Sequence, residues 1–252
     1  SVLTTEALVP SLATAEFVSW PSRARRDALR SLRGTILRTE LYALDNSPLQ
    51  GKPYTVTESL SYMRADYIPQ HMPADTFKYA SGYIFFPYQI AQRTTQWERG
   101  NDPMTSFSFT WNYDDYGQAT NQMSAGVARG LNPLTGSAFS STSGMHVPPA
   151  ISSKKYLATT SVSEYIYKGS IDDDTVADGL YMMNRVKQSK AFDCTFIGTK
   201  SIFDFYFDIK NNVGIGSILS HQLNYYDGSA YTGLSLGSLG NYGALVRAET
   251  LV

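Results

Sequence analysis

Between Ala91 and Gln118 the chain reads AQRTTQWERGNDPMTSFSFTWNYDDYGQ, and this run restricts the fold more than any other part of the sequence. Phe107, Phe109, Trp111 and Tyr113 alternate with Ser108, Thr110 and Asn112, a period of two that places four aromatics on one face of a strand. Asp114 to Gly117 then turns the chain. An aspartate side chain can bond the backbone two residues on, and glycine accepts positive φ without a Cβ penalty. A strand that must bury its aromatic face and then turn sharply needs a sheet around it.

Composition points the same way. Charged residues make up 17% of the chain, below the roughly 25% of ordinary globular proteins, whereas 18 Tyr and 12 Phe favour pleated surfaces. At 252 residues the chain suits one large β domain or two small ones. A formal net charge of -1 gives no global pull toward nucleic acid or an anionic membrane. Cys194 is the single cysteine, which excludes an intramolecular disulfide and a cysteine-based metal cluster. No apolar run reaches the roughly 20 residues of a membrane-crossing helix, so direct membrane insertion is not expected. The N-terminal stretch SVLTTEALVPSLATAEF has no basic region, hence no secretory signal peptide is expected in this chain. Its start at Ser1 and its abrupt end lead us to expect a segment of a longer protein.

One helix is expected, over Ser22 to Leu32: Ala24, Ala28, Leu29 and Leu32 share a face, Pro21 suits the start and Gly34 the end. The arginines around that face read as solvated rather than as a phosphate or lipid site, because nucleic-acid binders carry a basic balance across the domain. From Thr35 onward strands are expected: Thr35–Leu44, Tyr54–Arg64, Gly82–Phe86, Ala91–Glu98, Ser106–Tyr113, Thr120–Arg129, Tyr156–Tyr167, Met182–Thr195, Ile202–Lys210, Ser217–Tyr226 and Gly243–Thr250. Turn chemistry separates them, notably Asn101-Asp-Pro, Asn211-Asn212 and Asp227-Gly228. The fold class is therefore mainly β: a curved antiparallel meander with one short N-terminal helix. The expected organisation is an N-terminal extension and helix over 1–34, a first β subdomain over 35–130, a flexible loop over 131–155 rich in Gly, Ser, Thr and Pro, and a second β subdomain over 156–252. The two subdomains could equally form one continuous sheet.

Candidate chemistry is sparse. Gly233-Leu-Ser-Leu-Gly237 matches the G-x-S-x-G nucleophile elbow, but the glycine-rich stretch behind it cannot start a helix and no Asp or His follows Ser235. Asp172, Asp173, Asp174 and Asp178 offer oxygen ligands without the alternation of an EF-hand and read as a solvated acidic loop. His71, His146 and His221 have no ligand spacing, and Gly214-Ile-Gly216 lacks the third glycine of a dinucleotide loop. No catalytic residue, metal site or cofactor is expected. Arg93, Trp97, Glu98 and Arg99 read as a cross-strand ladder in which Glu98 satisfies an arginine on the next strand, with a cation and aromatic recognition platform as the alternative.

Tyr113-Asp114-Asp115-Tyr116-Gly117 resembles one unit of the YD/RHS repeat, and the 91–118 run as a whole resembles the B component of bacterial insecticidal toxin complexes (Tc toxins). Two further blocks agree: LRTELYALDNSPLQGKPYTVTES from Leu37 and LNYYDGSAYTGLSLGSLGNYGALVRAETLV from Leu223. The chain departs from the family pattern over 63–82, 131–155 and 168–216. The resemblance implies shell strands: B and C components enclose a cytotoxic effector in a hollow β-cocoon, released as part of a toxin complex. It implies a scaffold without enzymatic activity, a C-type RHS toxin component and neighbouring shell segments as partners, and self-association when the chain is isolated. Arg93, Trp97, Glu98, Arg99, Tyr113, Asp114, Gly117, Tyr226, Asp227 and Gly228 are the expected structural and interaction residues. The alternative is a free-standing β-rich module whose tyrosines bind carbohydrate or protein.

Overall fold

A computed structural model describes residues 15–67, 82–149, 151, 154–169, 181–196 and 198–251. His71 and the acidic run from Asp172 to Asp178 lie outside the described residues. Helices α1 (Ala15–Ser19) and α2 (Ser22–Ser31) open the described chain. Strands β1 (Arg38–Leu41), β2 (Thr55–Tyr67), β3 (Ile84–Gln96), β4 (Met104–Tyr113) and β5 (Ala119–Val127) follow. A small hairpin, β6 (Leu131–Asn132) and β7 (Ser137–Ala138), leads to β8 (Tyr156–Lys168) and β9 (Met182–Cys194). Helix α3 (Ile202–Lys210) and strands β10 (Ile215–Tyr226) and β11 (Leu245–Leu251) complete it.

Nine strands form one antiparallel sheet in the order β1-β2-β3-β4-β5-β8-β9-β10-β11, so the mainly β meander expected from the sequence is the observed fold. Each strand pairs with the next along the chain, and β5 pairs directly with β8 across the inserted hairpin. The sheet thus passes without a break through both halves of the sequence. Gly82–Phe86 and Ala91–Glu98, expected as two strands, belong to the single strand β3, which carries a bulge where Leu60/Ser61 meets Ala91/Gln89. A bulge keeps pairing intact while bending the strand.

The aromatic alternation in β4 is realised for three of its four aromatics, Tyr113 being only half-buried beyond Asn112 at φ +55°. Phe107, Phe109 and Trp111 are buried, and the intervening Ser106, Ser108 and Thr110 face the other way. The buried face continues through Leu60, Ala91, Met123, Ala125, Ala158 and Cys194, and α3 covers it with Ile202, Phe203, Phe205, Tyr206 and Ile209. Phe109 stacks on Tyr206 at 4.5 Å between centroids. On the opposite face Met63 and Ala65 of β2 meet Trp20, Ala24 and Ala28. Leu60 and Met63 are an odd number of residues apart, so the two helices sit on opposite faces of the sheet.

Two sequence expectations are corrected here. Ile202–Lys210 is a helix and not a strand, and the described chain holds three helices rather than one. The physical reason is a capping box: the Ser201 hydroxyl accepts from the Asp204 N–H at 3.1 Å, while the Asp204 carboxylate accepts from the Ser201 backbone and hydroxyl. The 131–155 segment opens with packed residues. Leu131 is buried in the main core, Asn132 pairs with Ser137, and the Pro133 carbonyl accepts from the Ile202 N–H at 2.8 Å.

Candidate functional site

Three clusters gather the residues that the sequence singles out. The first is the corner between β4 and β5. Asp114 Oδ1 accepts from the N–H of Tyr116 (2.9 Å) and of Gln118 (2.8 Å), and Oδ2 accepts from the Tyr167 hydroxyl on β8 at 2.6 Å. Gly117 has φ +81°, and a Cβ there would lie 2.7 Å from the Phe86 ring. Arg64 of β2 clamps the corner from outside: its guanidinium donates to the carbonyls of Tyr113 (2.9 Å) and Asp114 (2.6 Å) and lies 5.0 Å from the Phe86 centroid. Tyr113 donates to the Gln89 carbonyl at 2.6 Å and packs against Tyr88. Burial raises the Tyr113 phenol. It raises the Tyr167 phenol too, and the bond to Asp114 adds to this.

The second cluster is the corner after β10. Asp227 (φ +49°) and Gly228 (φ +79°) reverse the chain. The Asp227 carboxylate accepts from the backbone N–H of Gly240 (2.8 Å), Gly243 (2.9 Å) and Ala244 (3.1 Å). Burial acts to raise its pKa, but these N–H groups, Ala244 foremost, outweigh burial and hold it below the ordinary value. Tyr226 donates to the Val186 carbonyl on β9 at 2.9 Å, anchoring the corner to the sheet. At Gly228 a Cβ would meet the backbone of Gly233 and Leu234 at 3.0 Å.

The third cluster lies at the β1 edge. Glu58 of β2, 3% exposed, receives Arg38 of β1 at 2.8 Å and meets Arg93 of β3 at 3.1 Å. Arg38↔Glu58 and Glu58↔Arg93 are direct cross-strand partners, so the triad is a ladder one residue wide across three strands. Burial lowers the Arg93 pKa and Glu58 opposes it. The expected ladder partner is corrected: Glu58, not Glu98, forms the ion pair with the arginine. Glu98 and Arg99 have φ +47° and +62° and form the turn after β3, where strand alternation no longer applies. Arg99 reaches back to Asp45 with two bonds of 2.7 and 3.2 Å, to the Leu49 carbonyl at 3.2 Å, and over the Tyr54 ring at 5.3 Å. Its bonds to Asp45 hold that carboxyl well below the usual range. Trp97 lines a cavity of about 270 Å³ with Arg93, Pro133, Phe139 and Met145.

Reactive groups are placed apart from one another. Ser235 lies in turns between β10 and β11 and shares a 2.9 Å hydrogen bond with Ser238, with no strand-to-helix elbow around it. Cys194 is buried, and burial pushes its thiol up to about 11. Nε2 of His221 meets Gln188 Oε1 at 2.8 Å, and the His146 backbone N–H donates to the Asn101 carbonyl. Among the described residues no three His, Cys, Asp or Glu side chains are grouped to hold a metal ion. The side chains that lock the clusters from outside, Arg64, Glu58, Asp45 and Tyr167, escape sequence reading because they sit 20 to 54 residues from their partners, Asp45 and Tyr167 the furthest.

A nine-stranded antiparallel meander with side-chain-locked corners defines the class: a mainly β protein. The chain belongs to the family of the insecticide toxin TcdB middle/C-terminal region, whose profile matches residues 27–167. Solved structures share the fold. The crystal structure of TcdB2-TccC3-Cdc42 matches with a TM-score of 0.64 and 21% identity, covering 92% of this chain and 11% of that one. The Tc holotoxin pore of Photorhabdus luminescens, carrying the TccC3 mutation D651A, matches with a TM-score of 0.65 and 20% identity over 91% of this chain and 10% of that one. The crystal structure of TcdB2-TccC3 gives 0.63 and 21% over 92% and 11%. The chain thus spans about a tenth of the length of the solved chains that it matches. No curated protein is a match.

Proposed function

We propose that this chain builds part of the wall of the hollow shell in which a Tc toxin B component, joined to its C-type partner, encloses a cytotoxic effector. The observation that carries this reading is a nine-stranded sheet open at both edges, set in a family whose solved structural relatives are complexes of TcdB2 with TccC3. Among the described residues β1 pairs on one side only, and Leu41 with the preceding Leu37 is about 60% exposed; β11 likewise pairs on one side only and leaves Leu245 and Leu251 exposed. Unpaired edges invite a further strand. In this reading they continue into neighbouring wall segments, and the isolated chain self-associates. The chain works as one continuous wall element rather than as two separable subdomains.

Containment needs curvature and satisfied polar groups, not a nucleophile. Asp114, Gly117, Asp227 and Gly228 fix corners, Tyr113 and Tyr226 tie those corners to adjacent strands, and Arg93 with Trp97, Glu98 and Arg99 shapes the β1 edge. The wall has no catalytic step of its own, and it is released within the toxin complex. The test is assembly. Leu41→Lys and Leu251→Lys, in the full-length B component co-expressed with its C-type partner, should abolish or markedly reduce the closed particle seen by electron microscopy. The isolated chain should fold normally with either change. Closed particles that form at wild-type yield would remove the edge-continuation reading.

A further inference from the structure

A cavity of about 340 Å³ lies between the C-terminal end of α3 and strands β2 to β4, and the wall reading makes no use of it. Tyr62, Tyr88, Trp111 and Tyr206 form its aromatic walls, Arg64 and Lys210 are its charged residues, and no carboxylate lines it. Arg64 is already committed to Asp66 and to the carbonyls of the Asp114 corner. Lys210 is not: it is exposed and has no ion-pair or hydrogen-bond partner among the described residues. The hydroxyls of Tyr62 and Tyr206 likewise have none, although Tyr206 is only 5% exposed.

Each of these features asks for a different part of one ligand. The volume sits near the lower end of the roughly 300–1,000 Å³ of small-molecule sites, which suits a single ring. Aromatic faces take the C–H face of such a ring, the two unpartnered phenols take ring hydroxyls, and the free ammonium takes a carboxylate. A neutral hexose would leave Lys210 without its partner. An aromatic acid would leave the phenols unsatisfied. The geometry points to a binding site for a single uronic acid residue, stacked on the aromatic walls with its carboxylate on Lys210.

Calorimetric titration of the full chain with glucuronate, glucose and benzoate at matched ionic strength tests this. Saturable binding is expected for glucuronate alone. Lys210→Met should weaken it about tenfold, the loss of one charge-assisted bond. Tyr206→Phe keeps the ring that stacks on Phe109 and should weaken binding several-fold with the fold intact, which a melting curve verifies. Lys52→Met, in the loop between β1 and β2, should change nothing. The assignment is overturned if glucuronate does not saturate, if glucose or benzoate binds as tightly, or if Lys210→Met leaves binding untouched.

Discussion

At the scale of single residues, the two aspartate corners differ in what removal would cost. Asp227 concentrates three backbone N–H groups on one buried carboxylate. Asp227→Asn keeps one acceptor oxygen and turns the other into a donor facing N–H groups, so it should cost roughly 2–3 kcal/mol in urea denaturation at pH 7. The sign of the pH dependence follows from the depressed pKa. The stabilisation is complete above the unfolded carboxyl value near 3.8 and disappears as pH falls through the lower folded value. The gap between wild type and Asp227→Asn should therefore hold constant from pH 7 to about 5 and shrink below about 4. A gap that widens in acid would contradict the assignment. Gly117 poses a different problem, because two independent penalties meet there: positive φ and the Phe86 ring. Gly117→Ala should lose more than the roughly 1–2 kcal/mol of the backbone penalty. In the Phe86→Ala background only the backbone part should remain, and a double-mutant cycle reads the difference. Glu58 is the third such position. Glu58→Gln leaves Arg93 half-buried without its counter-charge, and a loss of about 3–5 kcal/mol is expected in thermal or urea melts.

Among the elements, α3 shows what the sequence offered and how it was obscured. IFDFYFDIK interrupts apolar residues with acids at nearly regular intervals and thus reads as a strand. Yet Ile202, Phe205, Tyr206 and Ile209 stand at i, i+3, i+4 and i+7, and Ser201 precedes Asp204 by three, so the helical period and its cap were both present in the letters. The two patterns coincide over nine residues, and only the core waiting over Phe109 decides between them. Ser201→Ala should cost about 1 kcal/mol by removing the cap, and Phe205→Ala about 3–5 kcal/mol by opening a cavity. The ratio of these losses in chemical denaturation checks that packing rather than capping dominates α3. The β4 alternation and the Asp-Gly corners were legible for the opposite reason: their signals are local. A period of two and a glycine at positive φ are properties of consecutive residues. The Arg38–Glu58–Arg93 ladder and the Arg64 clamp were not legible, because a cross-strand partner is defined only once register is known. Glu98 follows the strand in sequence, but the turn at Glu98 and Arg99 carries it out of the ladder.

For the molecule as a whole, the open edges lead to a concentration-dependent expectation. The isolated chain should shift to larger species in analytical ultracentrifugation as concentration rises, and Leu41→Lys with Leu251→Lys together should hold it monomeric. The order of the strands has a separate consequence, one concerned with how the sheet comes into being. Because each strand pairs with its chain neighbour and the sequence need not return to close a barrel, every strand leaving the ribosome finds its template already in place. Growth from one end would run like a zipper, with the β6–β7 insertion, the α3 segment and the turns between β10 and β11 to loop out. Loop closure stays cheap throughout. Such a sheet has no final step on which the whole depends, and the same property would let its length change by whole hairpins over evolutionary time without the existing strands having to find new partners.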